Sequence, residues 1–281
     1  MNAATKIAFL GGGNMARALI QGLLRHGIAA SQLQVGEPIE TQRVKLRAEF
    51  GVQAVADNLA AVRDATLVVL AVKPQQLLSL LAGLCPSLRG HRPLLLSIAA
   101  GMRTSDLAAC CPGLPIVRAM PNRPALVGAG ATALYAANDV DGAARLLAEQ
   151  VCAAVGLTVW VQRESDLDIV TALSGSGPAY FFLLAEHLAA AAVAQGLDPA
   201  TSELLAMQAL RGAGEMVAGT ATLAAQREAV TSEGGTTAAA LGTLAAGGFD
   251  KLVTAAMAAA ANRSAELAAL SGRPVRSGPS D

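Results

Sequence analysis

The sequence predicts an α/β half followed by an all-α half, on three observations. From Lys6 to about Val161, short runs of valine, isoleucine and leucine alternate with longer amphipathic stretches. After about Glu164 every segment has helical spacing. A glycine-rich turn joins the first apolar run to the first amphipathic stretch. Continuous apolar strands alternating with helices indicate a mostly parallel sheet covered on both faces.

The first strand is Ile7–Leu10, followed by a helix over Asn14–His26 with Met15, Leu19, Leu23 and Leu24 at helical spacing. Leu33–Val35 is a second strand, and Gly51 ends the charged helix Glu40–Phe50. Leu67–Val72 is the plainest buried strand; Leu94–Ile98, Ile116–Met120 and Ala131–Tyr135 follow. In the second half, residues 166–173, 179–195, 199–217, 222–230, 236–246 and 249–270 read as helices. Asp198 is suited to cap the helix that Pro199 opens. The last helix carries Leu252, Val253, Ala256, Met257 and Ala260 on one face, a stripe that fits packing on another element or a second subunit. The expected division is 1–162, 163–270 and a disordered tail at 271–281, whose two prolines and two glycines suit no regular element.

Composition narrows the partners. The chain has 281 residues, 21 basic and 21 acidic side chains and no formal net charge, which argues against a nucleic-acid partner. A mean hydropathy of +0.45 suggests a membrane protein. The average is inflated by 62 alanines, and the longest charge-free stretch, Ile169–Ala185, is 17 residues broken by Ser174-Gly-Ser-Gly-Pro178. A span needs roughly 20 uninterrupted apolar residues, so no membrane crossing is expected. The histidines His26, His91 and His187 are scattered, and no metal-ligand spacing is present. Cys85, Cys110, Cys111 and Cys152 form no CxxC pair, and adjacent Cys110-Cys111 suits no ordinary disulfide framework; reduced thiols and a cytoplasmic location are expected.

Two segments carry chemistry. Leu10-Gly11-Gly12-Gly13-Asn14-Met15-Ala16 reads G-x-G-x-x-A between a strand and a helix. There the first glycine allows a tight turn, the second admits a pyrophosphate, and the helix N-terminus presents unpaired N–H groups to the anion. The first half is therefore read as a Rossmann-like dinucleotide-binding sheet. Glu37, at the end of the second strand, is placed to accept from a ribose 2′-hydroxyl and favours NAD. Arg43 and Lys45 nearby could instead serve a 2′-phosphate, so NADH and NADPH both stay open. Ala71-Val72-Lys73-Pro74, Ser97-Ile98-Ala99-Ala100-Gly101 and Met120-Pro121-Asn122 end successive strands, where ligands bind in such sheets.

The second segment, Thr231-Ser232-Glu233-Gly234-Gly235-Thr236-Thr237, opens a helix with exposed N–H groups and hydroxyls, a cradle suited to a carboxylate. No G-x-S-x-G elbow and no motif of paired carboxylates occurs. A neutral cradle suits hydride transfer to an already electrophilic carbon such as that of a C=N bond.

These motifs, with Arg118-Ala-Met-Pro-Asn122, Leu173-Ser-Gly-Ser-Gly-Pro-Ala-Tyr180 and Gly247-Gly-Phe249, give a sequence that resembles the pyrroline-5-carboxylate reductase family over about residues 5–270. The resemblance implies NAD(P)H-dependent reduction of 1-pyrroline-5-carboxylate to L-proline, the last step of proline biosynthesis, and a C-terminal all-α dimerisation domain. It implies that Gly11, Gly12, Gly13, Asn14 and Met15 hold the pyrophosphate and Asn58 the adenosine side. Ala71, Val72, Lys73, Pro74 and Ala99 would line the nicotinamide, with Met120 and Asn122 beside it. Ser232, Gly234, Gly235, Thr236 and Thr237 would hold the substrate carboxylate, with the Thr237 hydroxyl on the ring nitrogen and Glu164 near the substrate. It also implies homodimers, often assembled into decamers. The sequence departs from the family pattern at Glu233, usually proline, and Arg123, usually threonine.

Two other classes remain as alternatives. A β-hydroxyacid-type dehydrogenase would need a catalytic lysine in the second half, which offers only Lys251. A non-catalytic cofactor-binding sensor would follow if Glu233 disabled the cradle.

Overall fold

The chain is described from a computed structural model, which defines Met1, 4–137, 139–217 and 221–271. The tail expected to be disordered lies outside the described residues, except Ser271, which ends the last helix.

Eight strands form one sheet: β1 (Ile7–Leu10), β2 (Leu33–Gly36), β3 (Gln53–Val55), β4 (Leu67–Leu70), β5 (Leu94–Ser97), β6 (Ile116–Met120), β7 (Gly130–Ala136) and β8 (Gly156–Trp160). Their order is β3-β2-β1-β4-β5-β6-β7-β8, parallel throughout except between β6 and β7. The order reverses direction between β1 and β4, which leaves a crevice at their carboxyl ends. Helices α1 (Asn14–Arg25), α2 (Glu40–Phe50), α3 (Asn58–Val62), α4 (Pro74–His91), α5 (Thr104–Cys110) and α6 (Gly142–Ala153) connect the strands. β1 and β4 are buried on both faces, and one apolar cluster lies on each side of the sheet. Leu19, Leu23 and Leu134 belong to one cluster, Leu77, Leu81 and Leu107 to the other. Burying such side chains contributes about 1.5–3 kcal/mol each.

Two strands depart from the sequence expectation. β3 has three residues and β8 is an edge strand whose side chains alternate between half-buried and exposed, so neither presents the continuous apolar run that marks the others.

The remaining helices are α7 (Asp166–Val170), α8 (Gly177–Ala194), α9 (Pro199–Met216), α10 (Leu223–Ala229), α11 (Thr236–Ala246) and α12 (Phe249–Ser271). The expected break at 174–178 is instead a π turn over Thr171–Gly175 that carries α7 into α8. Pro178, at the first turn of α8, lacks an N–H to continue the regular ladder, and the widened turn leaves the Ser174 carbonyl free to accept from elsewhere. Asp198 caps α9 by accepting from the Thr201 N–H at 2.9 Å, as its sequence position predicts.

Contacts divide the chain into two units, Met1–Gly175 with 260–281, and Ser176–Ala259. The second unit has almost no core of its own. Among its described residues only Gly177 and Ser202 are buried, while Phe181, Phe182, Leu204, Leu205 and Met207 are more than half exposed. A groove of about 670 Å³ between α8 and α9 is lined by Phe182, Ala189, Val193, Met207 and Leu210. The helical run 166–194 is long and apolar enough by composition to cross a membrane, with a mean hydropathy of 1.3 over its best window, whereas the sequence reading treated it as interrupted.

The cysteines correct another expectation. Cys85 of α4 and Cys111, at the end of α5, form a disulfide with Cα atoms 5.4 Å apart, while Cys110 and Cys152 stay free. No spacing along the chain marks this pair; packing of α5 on α4 brings the second sulfur from 26 residues away. Cys152 is inert, because burial pushes its thiol up to about 12.

Candidate active site

The turn after β1 is held by its neighbours. Gly11 has φ +97°, and a Cβ there would lie 2.9 Å from the Ala71 carbonyl oxygen. Its N–H donates to the Gly36 carbonyl at 2.8 Å, and the Ala71 N–H donates to the Leu10 carbonyl at 2.9 Å. Ala71 and Val72 therefore wall the turn where β4 ends, and Lys73 and Pro74 begin α4. Gly13 is the N-cap of α1; no side chain caps that helix, and its first turn has no acidic residue. The space where a Gly13 side chain would stand is open, so backbone N–H groups at Asn14 and Met15 face an anion site without obstruction. These features fit a dinucleotide diphosphate.

Glu37 is buried beside this turn, and its carboxylate accepts from the Gly12 N–H at 3.0 Å and the Ile39 N–H at 3.0 Å. Asn58, at the start of α3, lies over Gly36, where any Cβ would meet its Oδ1. Arg43 donates to the Glu37 and Pro38 carbonyls, each at 2.7 Å, and pairs with Glu40. Lys45 is exposed. Within this turn, Gly11 combines a positive φ with a backbone atom in the way of any side chain. Gly11→Ala is expected to weaken NADPH and NADH binding roughly 5- to 150-fold, since displacing the backbone by the strain of φ > 0 plus overpacking costs about 1–3 kcal/mol. Fluorescence titration of either cofactor checks it; an unchanged Kd would remove the turn from the binding site.

Other predicted residues are engaged within the first unit. Ala99 follows β5 and is buried; its N–H lies 3.4 Å from Ser97 Oγ. Met120 ends β6 close to Gly175. Asn122 is buried, with Nδ2 donating to the Ser174 carbonyl at 2.9 Å and Oδ1 accepting from the Ala131 N–H at 2.8 Å. Its amide thus ties β6, β7 and the π turn together.

Glu164 belongs to a polar network that sequence reasoning did not assemble. Oε1 accepts from the Thr104 N–H at 2.7 Å and from Arg118 Nη1 at 3.2 Å, and Oε2 accepts from Thr104 Oγ1 at 2.9 Å. Arg103 pairs with Asp168 at 2.7 Å, and Ser264 Oγ of α12 donates to the other Asp168 oxygen at 2.8 Å. Burial pushes the Arg118 guanidinium below its ordinary value, and Glu164 opposes that shift. One signal was available: Arg118 is a charge in the middle of the apolar strand Ile116-Val-Arg-Ala-Met120.

The hydroxyl cradle lies in the second unit, between α10 and α11. Gly234 has φ +67°, and the Gly235 N–H donates to the Ser232 carbonyl at 3.1 Å. A Cβ on Gly235 would collide with Ser232 Oγ, so the bare glycine lets that hydroxyl sit against the start of α11. No side chain caps α11. Thr231, Thr243 and Thr254 each donate to the carbonyl four residues earlier. Thr236 and Thr237 stand in the first turn, and among the described residues the Thr237 hydroxyl has no partner. Glu233 is exposed.

A doubly wound sheet with an open diphosphate turn, followed by helices carrying a second anion cradle, defines a nicotinamide-dinucleotide oxidoreductase. Residues 164–267 match the family model for pyrroline-5-carboxylate reductase dimerisation, and residues 6–101 match that for NADP oxidoreductase, coenzyme F420-dependent. The chain is 44% identical to the pyrroline-5-carboxylate reductase of Pseudomonas aeruginosa, with 94% of this chain and 97% of that one covered. It is 43% identical to that of Haemophilus influenzae, covering 94% and 98%. Among solved structures, a pyrroline-5-carboxylate reductase from Coxiella burnetii superposes with TM-score 0.91 at 39% identity, covering 94% and 98%. One from Plasmodium falciparum with NADP bound gives 0.79 at 30%, with the same coverage. The chain belongs to the pyrroline-5-carboxylate reductase family.

Proposed function

We propose that the protein reduces the C=N bond of 1-pyrroline-5-carboxylate to give L-proline, using NADPH or NADH, as the last step of proline biosynthesis. The observation that carries this reading is the uncapped, hydroxyl-lined N-terminus of α11, a carboxylate cradle without a general base, in a chain that also has a diphosphate turn. A bound nicotinamide supplies hydride to the imine carbon. Gly11, Gly12, Gly13, Asn14 and Met15 hold the diphosphate, Glu37 and Asn58 the adenosine side, and Ala71–Pro74, Ala99, Met120 and Asn122 border the nicotinamide. Ser232 and the N–H groups of Gly234, Thr236 and Thr237 bind the substrate carboxylate; the Gly235 N–H, expected among them, donates to the Ser232 carbonyl instead and shapes the turn. Thr237 holds the ring nitrogen, and Glu164 orders the Thr104 segment near the substrate. Residues 1–162 act as the dinucleotide-binding domain and 163–270 as the substrate and dimerisation domain.

The protein works as a homodimer, with dimers able to build decamers. Support comes from the second unit, whose exposed α8 and α9 side chains need a second chain to bury them. Such a partner also accounts for the apolar run 166–194 without a membrane. The cytoplasm supplies both cofactors, and the Cys85–Cys111 bond, at 5% and 0% exposure, is shielded from reductants there. No nucleic acid takes part.

The test follows the absorbance of NADPH, and separately NADH, after racemic 1-pyrroline-5-carboxylate is added to purified protein. Rapid oxidation with formation of proline is the expected result. Cofactor binding without oxidation would overturn the assignment and direct attention to Glu233 and Arg123.

A further inference from the structure

β8 is an edge strand without the usual protection. Gly156-Leu-Thr-Val-Trp160 contains no charge and no proline, and Leu157 and Val159 are 67% and 47% exposed on one face. Natural sheets guard such edges with charges, proline, bulges or extreme shortness, and the opposite edge, β3, is only three residues long. The phase of the hydrogen bonds at β8 is fixed at its two ends. The Val155 carbonyl accepts from the Gly130 N–H, and the Val161 N–H donates to the Leu134 carbonyl. Odd-numbered residues of this strand therefore bond to β7, and Gly156, Thr158 and Trp160 turn their N–H and C=O groups to the open edge.

We infer that this edge pairs with the same edge of a second copy, antiparallel about a two-fold axis at Thr158, so that the sheet continues across the homodimer. The inference rests on the dimer proposed above. A two-fold axis makes two identical strands antiparallel. Centring the axis on Thr158 places Thr158 opposite its own copy and Gly156 opposite the copy's Trp160, which uses all three outward residues. The same register sets Leu157 directly against the copy's Val159, burying both exposed side chains as a cross-strand pair. On the other face Trp160 is already held, with Nε1 donating to Glu149 at 3.1 Å and the Arg145 guanidinium 5.2 Å from the ring centre. The strand ends four residues before the family's dimerisation region begins at residue 164, so the pairing extends an interface that region makes.

The test first measures the mass of the parent protein by sedimentation, then treats Thr158→Cys with a short bifunctional thiol reagent. Opposed residues of a hydrogen-bonded antiparallel pair have Cα atoms about 5.5 Å apart, within reach of such a reagent. The expected result is a covalent dimer from Thr158→Cys, and none from the parent or from Val127→Cys at an exposed site away from the edge. Hydrogen exchange on the parent, which needs no variant, should show the Thr158 and Trp160 amides as slow as interior strand amides. A parent that sediments as a monomer overturns both the dimer and the pairing. A parent dimer whose Thr158 and Trp160 amides exchange freely, or whose Thr158→Cys and Val127→Cys forms cross-link alike, overturns the pairing and leaves the dimer standing.

Discussion

Thr237→Ala is expected to lower kcat for 1-pyrroline-5-carboxylate by roughly one to three orders of magnitude, the range for losing one placed polar group at a reacting centre. The expectation comes from the position of this threonine in its helix. Threonines later in these helices commit their hydroxyl as a donor to the carbonyl four residues back, as Thr243 does to Ala239 at 3.1 Å. Thr237 stands in the first turn of α11, and its hydroxyl is left for a ligand. It can donate to the ring nitrogen of a neutral imine as hydride addition builds electron density there, and it can accept a hydrogen bond from the N–H of an iminium, whose proton stays on the amine product. Alanine is a better helix former than threonine, so the variant should fold and bind cofactor as the parent does. Thr237→Ser, which keeps the hydroxyl, should retain most activity. Steady-state kinetics with both variants checks this. A rise in KM with kcat intact would make the hydroxyl a binding group only, and unchanged kinetics would remove it from the mechanism.

Legibility in the sequence followed how locally each feature is encoded. The β1–turn–α1 unit was readable because a buried strand, three glycines and an amphipathic helix are contiguous, and the observed boundaries agree closely. The helix starts at Pro199 and Thr236 were readable for the same reason, from Asp198 and Gly235 beside them. β3 and β8 were missed because edge strands are short or half-exposed and lack the apolar run that marks an interior strand. The π turn reads as a break in the sequence because Ser174-Gly-Ser-Gly-Pro178 has loop composition, yet Thr171 and Ser174 donate back to the Leu167 and Val170 carbonyls and keep the chain helical. The disulfide and the Glu164 network were invisible for a different reason. Their members meet only when α4 packs on α5 and when α7 and α12 reach the strand ends, and no spacing along the chain encodes such meetings.

That network sets the largest stability effect expected of any single side chain. Arg118 is 1% exposed, and its partner Glu164 also holds both the backbone and the hydroxyl of Thr104. Arg118→Ala leaves the Glu164 carboxylate without its cation in a largely buried site and opens a cavity in β6. Breaking a buried pair from one side costs about 3–5 kcal/mol. At 2–4 °C per kcal/mol for a chain of this size, the melting temperature should fall by roughly 6–20 °C. Two further variants separate charge from volume. Arg118→Met fills much of the space but strands the same carboxylate, so it should remain clearly destabilised. Adding Glu164→Gln to Arg118→Met removes the stranded charge while keeping an acceptor for Thr104, and should recover a good part of the loss. Calorimetry on the three proteins without cofactor reads the outcome. If Arg118→Met melted with the parent, the ion pair would be a bystander and packing alone would hold β6. If the double variant melted below both, Glu164 would be needed as an anion in its own right, for Thr104 at the head of α5.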